Sequence, residues 1–250
     1  MNRLERVLEG FRAQTAKIDS FILWIPKAYR RPEFNDYSIP KLPSDIEVRF
    51  CDEDFGPATK VLPAVNEFSG QDVQIIYCDD DEVYKPEWAE TLMQAAKLNP
   101  SECSTICGLN VASVDFEAFL QSAGYKSMSR FSRKLYSSLP WKRRRPERPR
   151  SGHIDICQGF GGVLVRPEFF GAEVFDIPDI AWMVDDIWLS GHLAVRSIPK
   201  RRVSTHKLCQ KSELAHVNSL TQYVHDGLDR VQADHMCVEF YRKKYGIWLE

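Results

Sequence analysis

An α/β fold built on a mostly parallel sheet follows from three features of the sequence. Short apolar runs alternate with stretches whose apolar residues recur at helical spacing, the pattern of strands joined by helices. One such run, VQIIYC (73–78), ends in three consecutive acids, Asp79, Asp80 and Asp81. A later glycine-rich turn, Gly159 to Gly162, leads straight into another apolar run. Sheets of this class bind ligands beyond the carboxyl ends of their strands, so acids at a strand end mark a candidate site.

Taken in order, residues 2–16 read as a helix, with Leu4, Val7, Leu8 and Phe11 on one face. SFILWIP (20–26) is a buried strand stopped by proline, and IEVRF (46–50) is a second strand. GPATKVLPAVNEF (56–68) reads as a helix kinked or broken at Pro63. After the strand at 73–78 comes the clearest helix, 85–100, with Pro86 at its start and Asn99-Pro100 at its stop. STICGL (104–109) is another strand, and DICQGFGGVLVRPEFF (155–170) is a glycine turn running into a strand. In DIAWMVDDIWLSGHLAV (179–195) the acids Asp185 and Asp186 open an amphipathic helix. KRRVSTHKL (200–208) holds a short strand and His206, and residues 220–245 read as a closing helix. No internal repeat breaks the pattern, and the whole 1–250 reads as one domain with an irregular insertion near 125–152.

Composition bounds the function. Net charge is −2, so no overall field draws the chain to nucleic acid. Seven scattered cysteines, an odd number, and the lack of an apolar leader point to free thiols in a reducing cytoplasmic compartment. No run of apolar residues is long enough to span a bilayer. Residues 130–150 differ in kind, with nine Lys/Arg against one acid, Glu147, and three prolines. This segment reads as a solvated insertion, or as a lid or contact for an anionic acceptor such as a lipid-linked phosphate at the membrane surface.

Four features carry chemistry. A strand-end Asp-x-Asp offers hard oxygens that suit Mg²⁺ or Mn²⁺, and the bland alternative is a solvated turn. Asp185 and Asp186 are favoured at a helix start by the dipole alone. The apolar wall of Trp182, Met183, Ile187 and Trp188 could equally tune one of them as a general base. Gly159, Gly161 and Gly162 let backbone approach a ligand, or simply pack closely. His206 is a structural or exposed histidine, or a late metal ligand.

In this order the four features resemble the GT-A glycosyltransferases, and most closely a bacterial, family-2-like group of them. Three further signatures support the resemblance: IPKAYRR (25–31), EDFGPATKVLPAV (53–65) and DDDEVYKPEW (79–88). It runs from about residue 4 to about 208 and implies a hexosyltransferase-like enzyme. Such an enzyme moves a sugar from a nucleotide-diphosphate donor to the hydroxyl of a carbohydrate or lipid-linked acceptor, as in polysaccharide biosynthesis. The resemblance implies Asp54 and Lys60 at the nucleotide side of the donor pocket, with Asp79 and Asp80 beside the donor. It implies Asp79, Asp81 and His206 as ligands of Mn²⁺ or Mg²⁺, and Gly161 and Gly162 along the donor-sugar and acceptor region. It implies Asp186 as the base of an inverting reaction, with Asp185 near the sugar. It places the enzyme in the cytoplasm or at the inner face of the membrane, touching it through 130–150. One departure stands out. Such proteins carry a nucleobase-contacting strand ahead of the opening helix, and this chain starts at that helix. An exposed sheet edge and weakened donor binding are therefore expected.

Two other readings compete. A haloacid-dehalogenase-like phosphatase would use Asp79 as nucleophile and a later acid pair for Mg²⁺, although its nucleophile strand is normally the first in the fold. A degenerate, non-catalytic transferase domain would only bind a glycan or a partner.

Overall fold

The computed structural model describes residues 3–36, 39, 42–122, 124, 151–203, 208–211 and 227–249. The basic segment 130–150, Trp141 within it, and His206 lie outside these residues.

The fold is mixed α/β. Its helices are α1 (Arg3–Arg12), α2 (Leu62–Glu67), α3 (Trp88–Leu98), α4 (Val111–Ser122), α5 (Asp185–Val195) and α6 (Arg230–Tyr245). Its strands are β1 (Phe21–Pro26), β2 (Ile46–Cys51), β3 (Ile75–Tyr77), β4 (Glu82–Tyr84), β5 (Cys103–Thr105) and β6 (Gly108–Leu109). They continue as β7 (Gly152–His153), β8 (Ile156–Cys157), β9 (Val163–Val165), β10 (Lys200–Arg202) and β11 (Cys209–Lys211). Among the described residues no helix is long and apolar enough to cross a membrane.

The main sheet has the order β3-β9-β5-β10-β7. Strands β5 and β10 are parallel, while β9 runs antiparallel to both β3 and β5, and β7 antiparallel to β10. Strands β3, β5 and β10 therefore point the same way, as alternating strands and helices predict. Hydrogen-bonded neighbours are nevertheless mostly antiparallel, which differs from the expected mostly parallel sheet. β8 and β9 run in one direction along the same antiparallel ladder, β8 opposite β6 with Cys157 across from Gly108 and β9 opposite β5 with Val163 across from Thr105, and the 3-10 turn Gly159–Gly161 bulges out between them. Strands β1 and β2 pair in parallel from Phe21 opposite Ile46 to Pro26 opposite Cys51, as a separate two-stranded sheet.

Side chains alternate across the main sheet with the two-residue period of a strand. Val163 and Val165 of β9 face a core formed with Leu62, Trp188, Leu193, Val238 and Tyr241. Leu164, between them, faces a second core with Trp88, Ala89, Leu92 and Ile106. Helices α2, α5 and α6 thus cover one face and α3 the other, a three-layer arrangement. Helix α3 buries Trp88, Ala89, Leu92 and Ala96 on one stripe, and fully burying a leucine such as Leu92 contributes about 1.5–3 kcal/mol.

Two local differences from the sequence pattern have simple causes. Segment 56–68 is not one kinked helix: a 3-10 turn (Gly56–Lys60) ends at Val61, and Pro63 sits in the first turn of α2. Proline is tolerated there because a first-turn N–H has no partner inside the helix. Glu82–Tyr84, which follows the acids, is a strand, because it pairs antiparallel with the distant Cys209–Lys211.

Helices α5 and α6 approach closely at Gly191, where an added methyl would collide with the Tyr241 ring. The Tyr241 hydroxyl donates to the Trp188 carbonyl at 2.7 Å and fixes this contact. Gly191→Ala is expected to cost about 1–3 kcal/mol, the usual penalty for overpacking, read as a lowered midpoint in urea unfolding. An unchanged midpoint would mean that the helices are not held at this spacing.

Candidate functional site

The pairing of β3 with β9 creates the site. Tyr77 lies opposite Val163, so residues after Tyr77 run beside residues before Val163. Cys78 and Asp79 are thereby set against the glycine turn. The start of α5 brings Asp185 and Asp186 to the same place, and the end of the 56–60 turn brings Lys60.

The Lys60 ammonium stands among carboxylates. Its Nζ donates a short hydrogen bond to Asp79 Oδ1 and lies 2.9 Å from Asp185 Oδ2. The Asp185 side chain is only 5% exposed, and its Oδ2 accepts no hydrogen bond; it meets the ammonium as an ion pair outside hydrogen-bond geometry. Asp186 Oδ1 accepts the Gly159 N–H at 2.8 Å. A side chain at position 159 would run into Lys60 Nζ and Asp79, so glycine is required there on steric grounds.

Protonation follows from this crowding. Burial alone would lower the pKa of Lys60, but Asp185, Asp79 and Asp186 outweigh it and hold the ammonium well above the ordinary lysine range. Burial, and then the charge of Asp185, push the Asp186 carboxyl up to about 7. Of the groups around it, Lys60 and Arg230 pull the other way.

A second tier of contacts holds these groups in position. The Tyr84 hydroxyl lies 3.0 Å from the Asp79 carbonyl and 3.2 Å from the Phe160 carbonyl, bridging the strand end and the glycine turn. Trp88 Nε1 donates to the Gly161 carbonyl at 2.8 Å. Arg230, at the start of α6, donates to the Met183 carbonyl at 2.6 Å and to Asp234 at 3.0 Å, bracing the residues that lead into Asp185.

An open cleft of about 430 Å³ lies beside the residues that lead into the 56–60 turn and into α5, lined by Tyr29, Arg30, Asp52, Asp54, Phe55 and Trp182 among others. The Asp54 carboxylate accepts the backbone N–H of Arg30 and of Gly56, each at 2.8 Å, and so ties the 28–30 loop to the 56–60 turn. Trp182 packs against Gly56, whose φ of 58° and lack of a side chain allow the approach. The Arg30 guanidinium lies 5.1 Å from the centre of the Trp182 ring and donates to Asp179 at 2.7 Å.

Of the residues singled out from the sequence, Lys60, Asp79, Asp185 and Asp186 come together. Asp54 lines the neighbouring cleft with its carboxylate committed to backbone N–H groups. Asp80 is exposed and Asp81 half-buried at the same strand end. Gly161 and Gly162 turn toward Cys107 and Trp88, where any side chain would collide, so both are packing glycines in this geometry. His206 lies outside the described residues. Among the described residues no group of three or more His, Cys, Asp or Glu is arranged to hold a metal. Sequence reasoning passed over Tyr84 and Arg230. It also put Gly161 and Gly162, and not Gly159, along the donor region, whereas Gly159 is the glycine set against Lys60 and Asp79. Only the register of β9 on β3 distinguishes the three.

Asp186 has a pH signature. Its folded pKa, about 7, lies above the ordinary aspartate value of about 3.9. Between those values the folded protein binds the extra proton more tightly, so this group's contribution to stability falls as pH rises through the window. Asp186→Asn removes the group and keeps an oxygen for the Gly159 N–H. The variant is expected to gain stability relative to the parent at pH 8 and to gain little near pH 4, by urea midpoints. A difference independent of pH would contradict the raised value.

No family model matches this chain, and no curated protein matches it either.

Proposed function

We propose that the protein is a glycosyltransferase that moves a sugar from a nucleoside-diphosphate donor to an acceptor hydroxyl, with Asp186 as general base. The observation that carries this reading is Asp186 itself. It is a carboxylate with a pKa of about 7, fixed by the Gly159 N–H at the end of a strand and next to a pinned lysine–aspartate cluster. A sugar hydroxyl is a weak nucleophile until a base takes its proton, and a base works best when its pKa lies near the working pH. In the reaction the acceptor oxygen bonds to the anomeric carbon, the bond from that carbon to the diphosphate breaks, and the hydroxyl proton passes to Asp186.

The fold supports the GT-A resemblance in specific ways. Strands β3, β5 and β10 share a direction, and the acids follow the carboxyl end of β3, where such sheets bind ligands. Strand β1 ends at Pro26 beside β2, and the loop after it lines the cleft with Trp182 through Ala28, Tyr29 and Arg30, so that loop is suited to the nucleobase role. An aromatic ring with a guanidinium across it is a natural neighbour for a flat base.

Carboxylates are the hard ligands that a divalent cation takes, but Asp79 and Asp185 are both paired with Lys60, and among the described residues no three such groups are arranged to hold a metal. Mn²⁺ or Mg²⁺, when bound through Asp79 and Asp81, would supply charge neutralisation for the departing diphosphate. The acceptor class proposed is a carbohydrate or lipid-linked hydroxyl, with work at the inner membrane surface or in the cytoplasm.

One observation favours a second reading. Asp79 contacts a lysine and sits near an acid pair, an arrangement that also suits an aspartyl-phosphate nucleophile. Capture of beryllofluoride by Asp79 would favour that phosphatase.

The test of the transferase is a thermal-shift series of nucleoside diphosphates with and without Mn²⁺, in which a true ligand raises the melting temperature by mass action. Turnover of the matching sugar donor is expected to rise with pH and level off above about 7. Asp186→Asn is expected to lower turnover by about 10²–10⁴ while nucleotide binding persists. Loss of the shift for every nucleotide tested would end the transferase reading. Full turnover in Asp186→Asn would remove Asp186 as the base.

A further inference from the structure

Helix α6 brings a second cation to the acid pair. Arg230 is its first residue, and Ala233, Cys237 and Tyr241, at helical spacing behind it, are buried. Arg230 therefore sits on the stripe that α6 turns to the core. A capping box fixes the helix start: the Asp229 carboxylate accepts the Gln232 N–H and the Gln232 side chain accepts the Asp229 N–H, each at 3.0 Å. A cation at the first residue of a helix opposes the helix dipole, which favours acids there. What Arg230 reaches explains its place. Nη1 donates at 2.6 Å to the carbonyl of buried Met183, two residues before Asp185, and Nε donates to Asp234 at 3.0 Å. Its ion pair among the described residues is with Asp234, so its charge acts on Asp185 and Asp186 through space. The other groups facing Asp186 come from three elements. Asp185 precedes it in α5, Lys60 ends the 56–60 turn, and Tyr77 and Asp79 lie in and just after β3. Lys60 is already committed to Asp79 and Asp185. Asp234, one turn along α6, offsets part of the Arg230 charge and also interacts with Asp185.

We propose that Arg230 is a positioning residue for the base: it anchors the chain that enters α5 through the Met183 carbonyl, and with Asp234 it sets the charge that Asp186 faces from α6. Calling Asp186 the base rests on the transferase reading; Arg230 and Asp234 lie beyond about residue 208, where the resemblance ends. Two consequences have opposite signs. Without the Arg230 charge, Asp186 keeps its proton to higher pH. Without the Asp234 charge, Arg230 acts on Asp186 unopposed, and Asp186 gives up its proton at lower pH. A contact that only held α5 in place would not reverse sign between the two.

The test is an NMR pH titration of the full chain, isotopically labelled at its aspartate carboxyls, with the Asp186 signal assigned by its loss in Asp186→Asn. The parent carboxyl is expected to titrate with a midpoint of about 7. In Arg230→Gln the midpoint is expected to rise by about one pH unit, and in Asp234→Asn to fall by about half a unit, the sizes of a nearby charge removed and of one partly unmasked. Arg230→Lys, which keeps the charge, is expected to stay near the parent. Asp234→Asn keeps its size and an oxygen for Arg230 Nε, so it decides the matter by itself if Arg230→Gln does not fold. The same variants are then assayed with the sugar donor of whichever nucleoside diphosphate raises the melting temperature, and the pH at which turnover levels off is expected to move with the carboxyl. Shifts of one sign in both variants, or no shift in Asp234→Asn, overturn the proposal and leave the transferase reading standing. Turnover that levels off at an unmoved pH while the carboxyl shifts overturns Asp186 as the base, and the positioning role with it.

Discussion

One half-buried ammonium among three carboxylates is the constraint on which this structure turns. Lys60 ends the 56–60 turn, Asp79 follows β3, and Asp185 and Asp186 begin α5; these segments are far apart in the chain. Burying such charges is expensive, and well-packed apolar residues in their place would often be no less stable. Removing one partner, however, leaves an uncompensated charge in a poor solvent for it. The cluster thus fixes three element ends relative to one another more firmly than it stabilises the fold. That trade suits a site whose geometry matters more than its stability, and it demands a glycine at 159, because the ammonium fills the space that a side chain would need.

The rest of the architecture serves that convergence. Inserting β9 antiparallel between β3 and β5 lays the glycine turn alongside the end of β3. The alternation of Val163, Leu164 and Val165 then bonds one strand to both helical layers. Tyr84 and Trp88, from the far layer, hold the turn through the carbonyls of Phe160 and Gly161. Arg230, from the near layer, holds the approach to Asp185 through the Met183 carbonyl. The glycine turn is thus held from the far face through the carbonyls of Phe160 and Gly161, and on the near face its Gly159 N–H meets Asp186.

Much of this was legible in the sequence, for physical reasons that differ from residue to residue. Apolar runs such as FILWIP and VQIIYC announce strands through their β-branched and aromatic residues, although FILWIP, read as a buried strand, is only half-buried from Phe21 to Trp24. Trp88–Leu98 announces a helix because one stripe must be buried. Asp79, Asp185 and Asp186 stand out because acids at element ends are conspicuous beside apolar residues. What the sequence does not carry is register. Nothing local says that β9 lies antiparallel beside β3, and without that fact Gly159, Gly161 and Gly162 look alike. Lys60 shows the same limit. Its segment points to a donor site, but its partners are 19 and 125 positions away and belong to other elements. The antiparallel pairing of Glu82–Tyr84 with Cys209–Lys211 is a non-local choice as well, and nothing in the residues after the acids announces it.

The cleft beside Trp182 and the acid cluster share two short stretches of chain, one from Asp54 to Lys60 and the other from Trp182 to Asp186. Asp54 closes the first stretch at its start by accepting the N–H of Gly56 and of Arg30. Trp182 clamps the two stretches together through its contact with Gly56 and its Nε1 hydrogen bond to the Asp54 carbonyl at 3.3 Å. Lys60 and Asp185 clamp them again a few residues later. Two parallel links between the same two stretches resist both sliding and twisting, as one link alone would not. A ligand that places a flat ring in the cleft and its charge at the lysine would therefore span two anchor points at a fixed separation. Preorganisation of that kind reduces the entropy lost by any ligand that touches both stretches.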